Sequence, residues 1–348
     1  MQWRRGRVMP QALSSMGAWI RFASRSLRQL FSDVLTLVAR LLCIESGTSW
    51  RQDPRAIQCV HCNARYPVED LPYTITLDEL PVEIRSVWMQ LHHDDETDDF
   101  LRDGFEIPRW RVRLLSIACT ILRECGYSLT DSNAILGRGK LFVLSRTQAS
   151  ALLGKPGGTL IDIGAGAGHV TKEMAPLFEQ VVATEASAPM IKQLHRQGFV
   201  VHCGASLASL PEVARRHSID LEKGASVVAI LNVLDRCDSP RALLRDALLL
   251  LKPGGRLLLA VVLPFRPHVE EGRVNRSPTE SLGLPRNASF EKSAELLWKV
   301  LLEPLGLVLE RFARVPYLSF GDEVCRMYSL EDSIWVLRKP PLVGVAAL

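Results

Sequence analysis

The sequence predicts an α/β fold: an open, largely parallel sheet of seven strands, preceded by a helical layer. Three observations carry that expectation. Residues 159–168, Thr-Leu-Ile-Asp-Ile-Gly-Ala-Gly-Ala-Gly, run from an apolar stretch into a glycine-rich turn, and 170–178 continues at helical spacing. This is strand, tight loop, helix, the first unit of an open α/β sheet. Further apolar runs at 180–184, 199–203, 225–231 and 256–262 alternate with helical stretches, the signature of parallel strands joined by crossover helices. Two late runs, 305–312 and 333–338, supply strands that close the sheet as an antiparallel pair.

Composition narrows the class before any motif is used. Of 348 residues, 47% are hydrophobic and 23% charged, which is globular rather than disordered. A net charge of +4 does not argue for a nucleic-acid partner, and none is expected. The 8 cysteines are scattered along a long chain and do not form a disulfide framework. No uncharged apolar run approaches the ~18 residues a membrane helix needs.

Charge is nevertheless uneven along the chain. Residues 1–31 hold Arg4, Arg5, Arg7, Arg21, Arg25 and Arg28, and the first acid is Asp33. Leu27, Leu30, Phe31, Val34, Val38, Leu41 and Leu42 fall on one helical face, with Arg21, Arg25, Arg28, Ser32 and Thr36 opposite. Residues 1–50 therefore read as a cationic amphipathic segment. It is expected either to direct the chain to mitochondria or endomembranes, lying on a membrane surface, or to pack as a surface helix on the folded domain.

Residues 51–150 are expected to be a helical region, strongest at 110–125. Cys59-Val60-His61-Cys62 is a lone Cys-x-x-Cys pair. Cys119 and Cys125 are spaced unlike any common zinc module, so no metal is expected. The run His92 to Asp99 reads as a solvated helix cap or loop. Residues 151–339 form the catalytic domain of this reading, and 340–348 a tail.

The glycine-rich turn carries the chemistry. Gly164 and Gly166 let the backbone approach a ligand closely. A dinucleotide loop needs Gly-x-Gly-x-x-Gly, but here the third glycine is Gly168 and position 169 is His169. Gly-x-Gly-x-Gly preceded by Asp162 resembles instead the first motif of class I methyltransferases that use S-adenosyl-L-methionine. That cofactor has no phosphate. It presents an amino-acid moiety and a sulfonium, which suit an acidic, glycine-lined loop.

The strand at 180–184 ends in Glu185, which can accept both hydroxyls of a ribose or, alternatively, cap the helix that starts near Ser187. The third strand ends in Cys203-Gly204 without an acid for the adenine, leaving backbone and apolar contacts to hold it or a local departure from the pattern. The fourth strand runs straight into Asn232-Val233-Leu234-Asp235, polar groups at the end of a central strand where open α/β sheets bind ligands. Lys252-Pro253-Gly254-Gly255 supplies the turn before the fifth strand.

Several blocks are similar to the DREV, or methyltransferase-like protein 9, family. They are Leu136-Gly-Arg-Gly-Lys-Leu-Phe-Val-Leu-Ser145, the 162–168 loop, Ala183-Thr-Glu185, Leu231-Asn-Val-Leu-Asp-Arg-Cys-Asp238, Leu263-Pro-Phe-Arg-Pro-His-Val-Glu270 and Val315-Pro-Tyr-Leu-Ser-Phe-Gly-Asp322. Together they span about residues 70–339. Arg266 and His268 stand where His and Tyr are expected, and 204–224 is longer than expected.

The resemblance implies a Rossmann-like, seven-stranded class I methyltransferase with S-adenosyl-L-methionine as cofactor. It implies methylation of the pros nitrogen of histidine in protein or peptide substrates carrying His-x-His. Asp162, Gly164, Gly166, Glu185, Asn232 and Tyr317 would bind the cofactor. Asn232, Asp235 and Tyr317 would face the target imidazole as catalytic residues.

Other readings stand beside these. Asp235 would merely cap a helix leading into Ser239-Pro240, and Tyr317 would be a half-buried core tyrosine. At the level of function, the alternatives are a methyltransferase for another protein side chain or a small molecule, and an inactive cofactor-binding scaffold. If residues 1–50 lie apart from the folded domain, their deletion leaves a soluble protein with an unchanged thermal midpoint. Aggregation or an early melt on deletion would instead show that this segment packs on the domain.

Overall fold

The computed structural model describes residues 55–341. The cationic segment 1–50 and the tail beyond Pro341 lie outside the described residues. Seven strands make the expected sheet: β4 (Thr159–Ile163), β5 (Gln180–Glu185), β6 (Val200–Cys203), β7 (Ala225–Leu231), β8 (Leu251–Val262), β11 (Val308–Phe320) and β12 (Met327–Arg338). Their order is β6-β5-β4-β7-β8-β12-β11. The first five run parallel, and β12 enters antiparallel to both β8 and β11. The fold is Rossmann-like, as the glycine-rich unit predicts.

Alternation along the strands builds two apolar layers. In β4, Ile161 and Ile163 face one side and Leu160 the other; in β7, Val228 and Ile230 oppose Val227 and Ala229. Both faces are covered, so these strands read as continuous apolar runs rather than alternating ones. Helices α7 (Leu210–Arg216), α8 (Pro240–Leu250) and α9 (Phe290–Leu297) cover the first face. The second is covered by α1 (Asp95–Glu106), α4 (Arg146–Leu153) and α5 (His169–Met174). Between α1 and α4 lie α2 (Arg109–Glu124) and α3 (Leu129–Leu136), and α6 (Ala188–Arg196) packs on β5 and β6.

The expected helical region 51–150 also holds three short strands. β1 (Ile57–Cys59) pairs parallel with Met327–Ser329 of β12, β2 (Arg65–Tyr66) folds back on β1, and β3 (Leu141–Phe142) pairs with β11. The cause is length. β12 outruns β8, which pairs only with Asp332–Arg338, so its first residues present a bare edge that β1 fills. Among the described residues the sheet thus has 10 strands.

The late strands are longer than the sequence suggests. Pro316 interrupts the apolar pattern, yet β11 carries it opposite Glu331 without breaking. Residues 303–305 form a short 3₁₀ turn ending at Gly306, so β11 starts later than expected. Lys252–Gly255 is no turn before a strand but a bulge inside β8, since Leu251 already pairs with Ala225. The acidic run at 92–99 does act as a cap: Asp94 accepts from the Thr97 amide at the start of α1 and from the Ser145 hydroxyl.

An aromatic cluster locks β11 and β12 to the flanking layer. The Phe312 ring lies 4.4 Å from Trp335 and 5.8 Å from Trp88, and Trp298 stacks on Trp335. The Phe312 backbone exchanges hydrogen bonds with Val87 and Met89. Phe312 is fully buried, so Phe312→Ala is expected to cost ~3–5 kcal/mol, read as a lower denaturant midpoint.

Candidate active site

The site is built where β4, β5 and β7 end side by side. Gly164 leaves β4 at φ +70°, and a Cβ there would lie 2.6 Å from Val233 Cγ2. The loop after β4 and the segment after β7 are therefore in contact, with no room for a methyl group between them. At Gly166, φ +59°, an added Cβ would make only an ordinary contact, 3.8 Å, with Met190 Sδ. The turn through Gly164 and Gly166 is the candidate cradle.

Asp162 braces the loop from beneath. Its buried carboxylate accepts from Thr171 Oγ1 at 2.6 Å, tying β4 to α5. Burial pushes this carboxyl up to about 6, the Thr171 hydroxyl opposing and Glu185 adding to the shift. Glu185, at the tip of β5, accepts the Gly166 amide on Oε2 (2.8 Å) and the Ala186 and Ser187 amides on Oε1 (2.7 and 2.9 Å). It does meet the start of α6, as the capping alternative required. Its bond to Gly166 also fixes a carboxylate on the rim of the cradle. Ser187, the cap of α6, donates to Asp131 on α3, so the helical layer reaches the same rim.

The second half of the site lies at the ends of β7, β11 and β12. Asn232 adopts φ +57°; its backbone N–H donates to Ala260 and its Nδ2 donates to Asp332 Oδ2 at 2.7 Å. Asp332 is wholly buried in β12, and Asp235 nearly so. The Arg236 Nε lies 3.1 Å from Asp235 Oδ2. Three oxygens of this cluster, Asn232 Oδ1, Asp235 Oδ1 and Asp332 Oδ1, are buried without a hydrogen-bond partner.

Burial raises the Asp235 carboxyl, and Arg236 pulls it back down. Tyr317, half-buried on β11, joins the cluster electrostatically. Its phenol is pushed up by burial and by Asp332, with Arg236 opposing and Asp235 reinforcing. The structure thus brings Asn232, Asp235 and Tyr317 together. Asp235 does not cap the following helix, whose N-cap is Ser239.

A strap closes over this end. Leaving β8, the chain runs to His268, whose N–H donates to the Asp235 carbonyl and whose ring receives the Arg236 guanidinium. It then forms the hairpin β9 (Val269–Glu271) and β10 (Val274–Arg276). Arg276 grips Asp238 with two bonds of 2.6 and 2.7 Å, holding that carboxyl down to about 2, and Glu270 accepts from Leu129 at the start of α3. His61, in the turn between β1 and β2, is pushed down to about 4 by burial and by Arg266 and Arg236. Its Cys-x-x-Cys turn is therefore within electrostatic reach of Arg236 and Arg266. Among the described residues no group of three or more His, Cys, Asp or Glu side chains is placed to hold a metal ion.

Sequence reasoning missed Asp332, Arg236 and His61. Asp332 had a signal: Glu331-Asp332 is an acid pair inside an otherwise apolar strand. Glu331 turns to Arg314 at 2.7 Å, and Asp332 turns inward.

Fold and site define a Rossmann-like α/β domain with a glycine-rich turn and a buried acidic cluster at the strand ends. The chain belongs to the DREV methyltransferase family, whose model matches residues 73–339. Among curated proteins, it is 29% identical over 115 residues to the ubiquinone biosynthesis O-methyltransferase of Xanthomonas oryzae, covering 32% of this chain and 46% of that one. The chain thus spans about half the length of the curated relatives it matches.

Among solved structures, the N-methyltransferase NodS of Bradyrhizobium japonicum with S-adenosyl-L-homocysteine aligns at TM-score 0.34. It is 15% identical and covers 56% of this chain and 85% of its own. The 1,6-didemethyltoxoflavin-N1-methyltransferase of Burkholderia thailandensis aligns at 0.35 with 18% identity, covering 72% and 93%.

The residues present fit S-adenosylmethionine. The glycine turn lets the backbone approach a ligand closely, and Glu185 offers lone pairs to a ribose. The three unpartnered oxygens suit a cationic centre. Glu185→Ala removes a charged acceptor and frees the Gly166 amide, and is expected to weaken S-adenosylmethionine binding about ten- to hundredfold. Calorimetry checks this, and unchanged affinity in the folded variant would take Glu185 out of the site.

Proposed function

We propose that the protein transfers the methyl group of S-adenosyl-L-methionine to the pros nitrogen of histidine side chains in protein or peptide substrates carrying His-x-His. One observation carries this reading: Asp235, buried at the strand end beside Asn232, keeps one oxygen unpartnered while Arg236 holds the other. A buried acceptor of that kind matches the single N–H of a neutral imidazole.

When bound, the cofactor supplies an electrophilic methyl on a sulfonium. The protein's task is to present a nitrogen lone pair in line with it. Asp235 Oδ1 accepts the N–H on the far side of the ring, which fixes the tautomer and leaves the pros nitrogen free. Asp235 then faces the positive charge that grows on the ring, and Arg236, which opposes the effect of burial on this carboxyl, holds it in place. Asn232 Oδ1 and the Tyr317 phenol line the space between cofactor and ring. Glu185 and the Gly164–Gly166 backbone hold the cofactor, and the strap from His268 to Arg276 limits water at the reacting end.

The direct test is transfer of labelled methyl into a His-x-His peptide, with identification of the modified nitrogen. Labelling of a small molecule or of another side chain instead would replace this reading. Asp235→Asn keeps an acceptor oxygen but removes the charge, and its turnover is expected to fall roughly 10²–10³-fold with cofactor affinity nearly unchanged. The wild-type rate is expected to rise with pH through about 6.5, since only a neutral imidazole attacks. Near-normal turnover of Asp235→Asn would return that residue to a structural role.

A further inference from the structure

Asp332 has no role in the transfer just described, yet it is the most deeply buried acid of the cluster. We propose that Asp332 makes the site selective for cofactor charge, holding the methyl-bearing sulfonium form in preference to the neutral thioether left after transfer. This rests on the reading of S-adenosylmethionine as cofactor, but not on the identity of the methyl acceptor.

The argument begins with partners. Asp332 Oδ2 is engaged by Asn232 Nδ2, and Oδ1 has no partner. It is faced electrostatically by Asp235 from the loop after β7 and by Tyr317 from β11; Glu331 on its own strand is turned to Arg314. The Arg236 guanidinium, with the His268 ring against it, is bonded to Asp235. A complementary charge for Asp332 must come from a ligand. The place for it is adjacent: Asn232 precedes Val233, which lies against the glycine cradle at Gly164.

Burial makes the device sensitive. With no water to screen it, a carboxylate beside a cation is strongly favoured and one without a cation is strongly disfavoured. The Asp332 carboxyl stands well above the ordinary carboxylate range because of burial, with the Asn232 bond opposing and Asp235 reinforcing. Asp332 therefore loses its proton when the sulfonium enters. Transfer breaks the S–CH₃ bond, its electron pair staying on sulfur, so the positive charge leaves the cofactor. Asp332 then takes up a proton again and no longer favours the occupant, which opens the way to exchange.

The test is calorimetric titration of the full chain with S-adenosylmethionine and with S-adenosylhomocysteine, in two buffers of different ionisation heat. In the wild type at about pH 8, the sulfonium form is expected to bind about tenfold more tightly than the thioether. Its binding should also release more protons than in Asp332→Asn, whose amide oxygen still accepts from Asn232. In that variant the affinity ratio is expected to fall to about one, with thioether affinity within about threefold of wild type.

An unchanged ratio in Asp332→Asn overturns the proposal. Should that variant bind neither ligand, the wild type decides: its ratio must shrink between about pH 8 and pH 6, and a flat ratio overturns the proposal. A wild type that binds neither ligand removes the cofactor reading, and the proposal with it.

Discussion

The site depends on one close approach, that of Gly164 to Val233. It is possible because β4 and β7 are adjacent parallel strands whose chains turn away at the same end, so the Gly164 α-carbon meets the Val233 side chain with only a hydrogen atom between them. Any larger residue at 164 would separate the cofactor cradle from the polar residues that follow β7. The contact thus sets the distance between the half of the site that holds a donor and the half that acts on an acceptor. Asp162 and Glu185 keep the first half rigid, one from beneath through Thr171 and the other from the rim through Gly166.

The other half is polar and buried, an arrangement that stability alone would not favour. Asn232, Asp235 and Asp332 each keep an oxygen without a partner, and such groups cost free energy in a folded protein. The surrounding structure carries that cost. The aromatic cluster around Phe312 and Trp335 fixes β11 against β12, and the continuous apolar faces of β4, β7 and β8 supply the burial. Arg276 with Asp238, and the His268 amide with the Asp235 carbonyl, hold the strap on the loop after β7. Rigid apolar layers beneath and ionic ties above leave the unpartnered oxygens in between.

Much of this was legible in the sequence, for identifiable reasons. The glycine loop, the acid at the end of β5 and the Asn232-to-Asp235 stretch are local patterns, each within a few residues of a strand end. The central parallel strands β4 and β7 announce themselves because strands buried on both faces are largely apolar. What could not be read was set by pairing between distant segments. β1 exists because β12 overhangs β8, a fact about two strands that begin only at Met327 and Leu251. Asp332 sits in a strand whose inward face is known only once β8 and β11 flank it, and Glu331 beside it hides the signal by being an ordinary surface acid. The Lys252–Gly255 bulge was mistaken for a turn because Pro-Gly-Gly has the same local chemistry in either setting.

The position of β12 has a consequence for how the site comes into being. It is the last strand among the described residues, yet it lies inside the sheet, between β8 and β11, and it carries Asp332 and the edge on which β1 docks. A chain emerging from the ribosome can form the glycine cradle and β4 to β7 early, but it cannot orient Asn232 against Asp332 or seat the His61 turn until β12 has slotted into place. Closure of the sheet and completion of the polar pocket are one event. The cradle can therefore exist before the machinery that would use it, and the final antiparallel insertion is what makes the two into a single site.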